Sequence, residues 1–155
     1  VGSAYTASLD PAKTRFVYRD RLWQGADLVG LGVASFGHLN GVHVQNLDTW
    51  EAYSAAVRSG DIPFSRAYRP NDDERLIREV VLQLKLGSIR PAYFREKYHV
   101  NILERFRDQF DSLKADGSLK VASDDTVSLT RDGLMRVDAL LKRFFLPEHA
   151  EIRYT

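Results

Sequence analysis

Hydrophobic and polar positions follow different patterns in the two parts of this chain. In the first part the longest apolar run is Leu-Val-Gly-Leu-Gly-Val at residues 28–33. An unbroken run of this length is typical of a β-strand that is covered on both faces. Residues 14–18 have the aromatic and β-branched content of another short strand, and residues 19–25 read as a polar turn. A glycine-rich loop is predicted after the long strand, over residues 34–46.

One helix follows this loop. Asp48 is a candidate N-cap, Gly60 is a candidate C-cap, and apolar side chains recur between them at helical spacing. Residues 61–70 contain two prolines, and their apolar positions follow neither the helical nor the strand period. A domain boundary is therefore predicted there. The predicted domains are residues 1–62 and 63–155.

The second part is mainly helical. A capping box formed by Asn71 and Glu74 predicts a helix that ends at Gly87, and Pro91 and Asn101 begin two more. Two short apolar runs on either side of residues 123–125 predict a β-hairpin with its turn at these residues. Thr130 is predicted to cap a last helix. The predicted fold class is α+β: a strand, loop and helix from the end of a partial (β/α) barrel, then a winged-helix-like domain with a β-hairpin.

Composition excludes several kinds of chemistry. The chain of 155 residues has a formal net charge of +1, which produces no long-range field for nucleic acid or an anionic membrane. It has no cysteine, and therefore no disulfide, thiolate metal site or thiolate-held iron–sulfur cluster. No apolar run approaches the roughly 20 residues of a membrane span. The sequence predicts a soluble, cytoplasmic chain with no membrane partner.

A winged-helix arrangement raises the question of DNA binding. The helix that would enter the major groove has four acidic residues between Glu104 and Asp116, and the tip of the hairpin is Asp124-Asp125. These acids would lie close to phosphates, so no nucleic-acid partner is predicted.

The polar residues of the 34–46 loop are the main candidates for chemistry. His38 and His43 could ligate a metal with a carboxylate, but their spacing fits no helix face and no metal site is predicted. Ser35 lacks the Gly-x-Ser-x-Gly setting of a nucleophile, and the glycines fit a dinucleotide fingerprint poorly. No residue is predicted to be catalytic.

The order of these segments resembles a known family. The run from Leu28 to His38, preceded by Trp-Gln-Gly and followed by Val-Gln-Asn, is similar to the late-barrel segment of oxygen-independent coproporphyrinogen III oxidases. These enzymes are members of the radical S-adenosylmethionine superfamily. The helices from Asn71, the hairpin at Asp124 and residues 129–134 resemble the carboxyl-terminal domain of that family.

The resemblance implies a function for the intact protein and not for this chain alone. The family uses a 4Fe-4S cluster and S-adenosylmethionine to decarboxylate tetrapyrrole propionates to vinyl groups in porphyrin and haem biosynthesis. The family's Cys-x3-Cys-x2-Cys motif is absent here. The chain is therefore expected to be the carboxyl-terminal fragment of such an enzyme, to hold neither cofactor alone, and to have the missing amino-terminal barrel half as a partner.

Residue roles carried over from the family remain expectations. Ser35, Phe36 and Gly37 would border the cofactor, with Phe36 near a second S-adenosylmethionine. Arg19, Arg21, His38, Gln45 and Asn46 would contact the tetrapyrrole, coproporphyrinogen III or haem; the arginines would pair with its carboxylates. Alternatively, Gln45 and Asn46 only fix the loop and the arginines are merely solvated.

Other functions stay open at this point. A haem-binding or haem-transfer relative could use His38 or His43 as an axial ligand, and a haem-degrading methyltransferase of the same superfamily also fits. A winged-helix protein-interaction module is the weaker alternative. Because the predicted strand at residues 28–33 would lack its barrel neighbours, self-association through residues 15–33 is expected.

Overall fold

The chain packs as two compact units in a computed structural model that describes residues 3–7, 9–10 and 13–149. The first unit consists of the described residues up to Asp20 together with those from Leu76 onwards. The second unit is Arg21–Arg75. Both divisions fall inside helices, which are α1 (Val17–Trp23) and α3 (Asp72–Leu84). The predicted domain boundary after residue 62 stays a prediction.

The second unit is built around a three-stranded antiparallel sheet. Strands β1 (Phe36–Leu39), β2 (Val42–Asn46) and β3 (Phe64–Tyr68) are adjacent in that order. Asn40 and Gly41 join β1 to β2, with φ angles of 48° and 75°. Left-handed conformations at both residues are those of a type I′ turn, which matches the twist of a hairpin.

Helix α2 (Trp50–Ser59) connects β2 to β3 in sequence. Its N-cap is Thr49, whose side chain accepts a hydrogen bond from the Ala52 N–H, and Gly60 closes it with a φ of 80°. The predicted helix is therefore confirmed, with its cap one residue after Asp48. Thr49 can make the same capping bond as an aspartate, so the sequence alone did not separate the two.

The first unit combines helices with a small antiparallel sheet of order β4-β6-β5. Its remaining elements after α3 are β4 (Ser88–Ile89), α4 (Pro91–Tyr98), α5 (Ile102–Arg105), α6 (Arg107–Ala115), β5 (Leu119–Val121), β6 (Val127–Leu129), α7 (Arg131–Met135) and α8 (Val137–Leu141). Short 3-10 turns follow at Lys142–Phe144 and Pro147–His149. Val80, Leu84, Phe94, Ile102 and Val127 are wholly buried at the centre of its core.

The local capping signals predicted from Asn71 onwards are confirmed. The Asn71 N–H donates to the Glu74 carboxylate at 2.7 Å, and the Glu74 N–H donates back to the Asn71 side-chain oxygen at 2.9 Å. Asn101 caps α5 and Thr130 caps α7 through their side-chain oxygens. The β5–β6 hairpin is also confirmed. These features depend on neighbours within a few residues, which is why the sequence predicted them.

The strand predicted at residues 28–33 is wrong. Only Leu28 forms a bridge, in which its N–H and C=O bond to His38 at 2.7 and 2.8 Å. The Val29 and Leu31 side chains are 63% and 82% exposed, so this apolar run is not covered on both faces. The pairing therefore ends at Leu28, and the backbone turns at Gly32, where φ is 100°.

Four other local predictions are also wrong. Residues 14–18 and 19–25 were expected to form a strand and a turn, but α1 begins at Val17 and includes Arg19 and Arg21. Aromatic and β-branched content is only a weak preference, which tertiary context overrides.

The loop predicted over residues 34–46 contains the β1–β2 hairpin, and the aperiodic segment 61–70 contains β3. The missed signal for the hairpin was the dipeptide Asn40-Gly41, which is typical of a two-residue hairpin turn.

Candidate functional site

One face of the sheet in the second unit gathers three of the eight predicted site residues, Phe36, His38 and Gln45. Alternate residues of a strand point to opposite faces, so the register decides which side chains share a face. Two cross-strand rows lie on the same face, which we call the site face. The arginine row consists of Phe36, Gln45 and Arg66. The histidine row consists of His38, His43 and Tyr68.

The arginine row places an exposed cation on the same face as an exposed aromatic ring, with Gln45 between them. Arg66 Nε donates to Gln45 Oε1 at 2.6 Å, and Gln45 Nε2 donates to the Ala34 carbonyl at 3.3 Å. The Phe36 side chain is 61% exposed, and Arg66 is exposed as well. The arrangement can therefore offer an apolar surface and a positive charge to one ligand.

The histidine row contains two imidazoles that face each other. His38 and His43 are directly opposite in the register, with their Nδ1 atoms 3.1 Å apart and their ring centroids 4.5 Å apart. His38 is 7% exposed. In this bond one Nδ1 carries a hydrogen and donates it, and the other Nδ1 is unprotonated and accepts the hydrogen bond. The bond is therefore lost if both imidazoles become imidazolium ions. Tyr68 is the third member of this row, and its hydroxyl donates to the Glu74 carboxylate.

A metal site is not assembled in the part of the chain that the structure describes. No group of three or more histidine, cysteine, aspartate or glutamate side chains comes together there. The two histidines would supply only half of a tetrahedral zinc site.

Asn46 lies inside the unit and not on the site face. It is 3% exposed, and its side-chain nitrogen donates to the carbonyls of Gly30 and Gly32 at 3.0 and 2.8 Å. Its backbone N–H donates to the Ser35 carbonyl at 2.9 Å. In this structure the side chain therefore holds residues 30–32 against the sheet, as in the loop-fixing interpretation of Asn46.

Ser35 and Gly37 also make internal contacts. The Ser35 hydroxyl donates to the Leu31 carbonyl at 2.7 Å. A Cβ atom on Gly37 would come within 2.8 Å of Val44 Cγ2 and 3.0 Å of the Leu28 carbonyl oxygen. A Cβ atom on Gly30 would come within 2.2 Å of the Phe36 carbonyl oxygen. Glycine at positions 30 and 37 therefore lets residues 28–30 lie against β1. Of the three predicted cofactor neighbours, Phe36 has an exposed side chain.

The two predicted arginines differ in their surroundings. Arg19 is engaged within the first unit: it bonds to Asp20 at 2.7 and 3.0 Å and to the hydroxyls of Ser3 and Thr6 at 2.8 and 2.9 Å. Arg21, at the start of the second unit, is exposed.

Sequence reasoning missed Arg66. It was placed in a linker because Pro63 and Pro70 flank it, although residues 64–68 have aromatic ends typical of a short strand. Its proximity to Gln45 depends on a pairing between residues 21 positions apart, and no local signal reveals that pairing.

Comparisons with known proteins confirm the predicted resemblance. No protein-family model matches the chain. Oxygen-independent coproporphyrinogen III oxidase from Helicobacter pylori is 24% identical over 120 residues, which are 75% of this chain and 26% of the relative. The enzyme of the same name from a Synechocystis species is 28% identical over 110 residues, or 64% of this chain and 23% of the relative. The chain thus spans about a quarter of each relative.

A solved structure is similar in fold. Coproporphyrinogen III oxidase from Escherichia coli, described as a radical SAM enzyme, superimposes with a TM-score of 0.64 at 18% identity. The match covers 77% of this chain and 28% of that chain.

Proposed function

We propose that this chain is the carboxyl-terminal part of a coproporphyrinogen III oxidase-like radical S-adenosylmethionine protein. Its role there is to contact substrate and cofactor, and it is not catalytic alone. The observation that carries the proposal is the similarity to two coproporphyrinogen III oxidases over 64% and 75% of this chain. The fold match to a third supports it.

The iron–sulfur cluster of this chemistry does not fit the residues of this chain. Thiolates hold such clusters, and the sequence has no cysteine. In this proposal the cluster and the first S-adenosylmethionine are bound by another part of the intact protein. We therefore assign no reaction step to the residues described here.

Substrate binding is the role that the site face supports. Coproporphyrinogen III is a large, mostly apolar ring with carboxylate side chains. An exposed aromatic ring and an exposed guanidinium on one sheet face match these two features. Phe36 is also the residue that we propose as a neighbour of S-adenosylmethionine, because its exposed ring can stack on an adenine.

The haem-carrier alternative depends on His38 or His43 as an axial iron ligand. These imidazoles bond to each other through their Nδ1 atoms, and His38 is buried. The His38 ring is largely covered, whereas His43 is half-buried. The similarity to two coproporphyrinogen III oxidases is what favours the oxidase-like proposal over the carrier.

A titration of the purified chain tests the proposal. Coproporphyrin III, the stable oxidised form of the substrate, and haem are added separately while tryptophan fluorescence and porphyrin absorbance are recorded. Both tryptophans, Trp23 and Trp50, lie in the second unit. We expect coproporphyrin III to quench them saturably.

Two outcomes contradict the proposal. A Soret shift with haem alone, lost in both His38→Ala and His43→Ala, identifies a haem carrier. Failure to bind either compound shows that this chain contributes no tetrapyrrole surface.

A further inference from the structure

We propose that Arg66, positioned by Gln45, binds a carboxylate of a tetrapyrrole whose ring lies against Phe36. The inference rests on the proposed function and names the side chain that would recognise the acid group of the substrate.

The position of Arg66 suits an anion. It lies on β3, whose five residues are all exposed. Its Nε–H is used by Gln45 Oε1, but its terminal nitrogens, Nη1 and Nη2, make no hydrogen bond or ion pair with any residue that the structure describes. Fixing Nε orients the planar guanidinium while the donors at its far end stay available for a carboxylate.

The charge of Arg66 is also not compensated by its partner. Several other arginines bond to acids: Arg19 to Asp20, Arg75 to Asp72, Arg136 to Asp132 and Arg143 to Asp116. The partner of Arg66 is a neutral amide. Glu74, which lies on α3, accepts bonds from the Tyr68 hydroxyl and the Asn71 N–H. Arg66 therefore presents its positive charge on the site face without an ion-pair partner among the residues that the structure describes.

The order of the row matches the shape of the proposed ligand. Phe36, Gln45 and Arg66 lie on adjacent strands, so about two strand spacings, roughly 10 Å, separate the backbones of Phe36 and Arg66. A ring packed on Phe36 would extend a two-carbon acid arm over Gln45 towards Arg66. Gln45 is thus a positioning residue that holds the guanidinium at the end of this path.

The first experiment compares ligands with and without carboxylates. The wild-type chain, Arg66→Gln and Arg58→Gln are titrated with coproporphyrin III and with its tetramethyl ester at matched detergent concentration. We expect Arg66→Gln to weaken binding of the acid roughly tenfold, the effect of one charge-assisted hydrogen bond. Binding of the ester should not change. Arg58 is exposed in the last turn of α2, so its variant should bind like the wild type.

The second experiment separates a ligand-binding role of the Gln45–Arg66 pair from a purely structural one. Gln45→Glu keeps an oxygen acceptor for Arg66 Nε, so the link between β2 and β3 persists, although the 3.3 Å bond to the Ala34 carbonyl is lost. The added carboxylate neutralises Arg66. If the charge of Arg66 beside Gln45 serves ligand binding, acid affinity falls as in Arg66→Gln and the urea midpoint followed by tryptophan fluorescence hardly changes. If the bond is only structural, acid affinity stays at the wild-type value.

The outcomes distinguish this inference from the proposed function. If Arg66→Gln binds coproporphyrin III as tightly as the wild type, or loses affinity for acid and ester equally, Arg66 does not recognise the carboxylate; porphyrin binding itself would still stand. If the wild type binds neither porphyrin, both the inference and the proposed function are overturned. The difference between acid and ester should also shrink at high salt, because screening weakens exposed charge pairs.

Discussion

At the scale of single residues, the Asn46 side chain controls the backbone that precedes β1. Its two donors hold the carbonyls of Gly30 and Gly32 in a buried position. Asn46→Asp keeps the size of the side chain but removes both donors and adds charge beside carbonyl oxygens. We expect the free energy of unfolding of the second unit to fall by about 2–3 kcal/mol. Urea unfolding followed by tryptophan fluorescence measures this, because both tryptophans lie in that unit.

Asn71→Asp is the matched control for this change. Asn71 is exposed, and its side chain accepts a bond from the Glu74 N–H instead of donating one. Aspartate is an equally good N-cap, so this variant should stay within about 0.5 kcal/mol of the wild type. Equal stability of the two variants would show that the amide of Asn46 does not hold the segment.

At the scale of elements, three side chains join the described residues 3–7 to the core of the first unit. The Tyr5 hydroxyl donates to Asp138 at 2.6 Å, and Lys85 Nζ lies 2.8 Å from both the Asp138 carboxylate and the Tyr5 oxygen. Burial raises the pKa of Asp138, but hydrogen bonds from Lys85 and Tyr5 and the charge of Lys85 outweigh this effect. The pKa of Asp138 therefore lies below its usual value of 3.8.

The direction of this shift gives a pH dependence. A carboxyl whose pKa is lower in the folded state contributes stability above the unfolded value, and the contribution is lost as the pH falls through the folded pKa. Asp138→Asn should therefore lower the stability of the first unit by about 0.5–1 kcal/mol at pH 7, since the Asp138 side chain is 61% exposed and solvent screens its charge. The difference from wild type should vanish in acid, at a pH below the folded value. Urea unfolding followed by circular dichroism at both pH values measures it.

Asp132→Asn provides the comparison. Asp132 pairs with Arg136 on an exposed helix surface, so we expect a smaller effect at pH 7. The prediction for Asp138 fails if its variant is as stable as the wild type at pH 7, or if the difference persists unchanged in acid.

The β1–β2 hairpin is the element on which the site face depends. Its register is set by the two-residue turn at Asn40-Gly41. A slip by one residue would move the side chains of β1 to the opposite face. Phe36 would then leave the row of Gln45 and Arg66, so the turn decides which side chains form the arginine row.

At the scale of the whole molecule, exposed apolar side chains bear on self-association. Val29 and Leu31 are largely exposed, and they belong to the segment predicted to associate. Association through residues 15–33 remains a prediction, and Leu31→Ser tests it. We expect the wild-type chain to associate as its concentration rises, and Leu31→Ser to shift association to higher concentration, because less apolar surface is left for contact.

Light scattering over a concentration series measures this association. Leu9→Ser is the control, since Leu9 is also fully exposed but lies outside the segment. A wild-type chain that stays monomeric throughout, or an equal effect of both variants, would exclude association through this segment. The structure also contains no helix among its described residues that is long and apolar enough to cross a membrane.

The site was only partly predictable from the sequence. Phe36, His38 and Gln45 were predicted as site residues, and the register places them on one face. Their roles stay predictions. The amide of Asn46 was predicted to contact a ligand but lies inside the unit. A polar side chain after a glycine-rich run looks the same in sequence whether it faces a ligand or a backbone carbonyl, so composition alone could not separate these cases.

What the sequence determined by itself was local. The capping box at Asn71 and Glu74, the caps at Asn101 and Thr130 and the left-handed Gly60 depend on partners at most four residues away. Only the tertiary structure decided whether the apolar run at 28–33 is buried, and only the pairing of β2 with β3 placed Arg66 beside Gln45. The physical reason is that burial and strand register arise from contacts between distant residues, and a short sequence window contains one side of each contact.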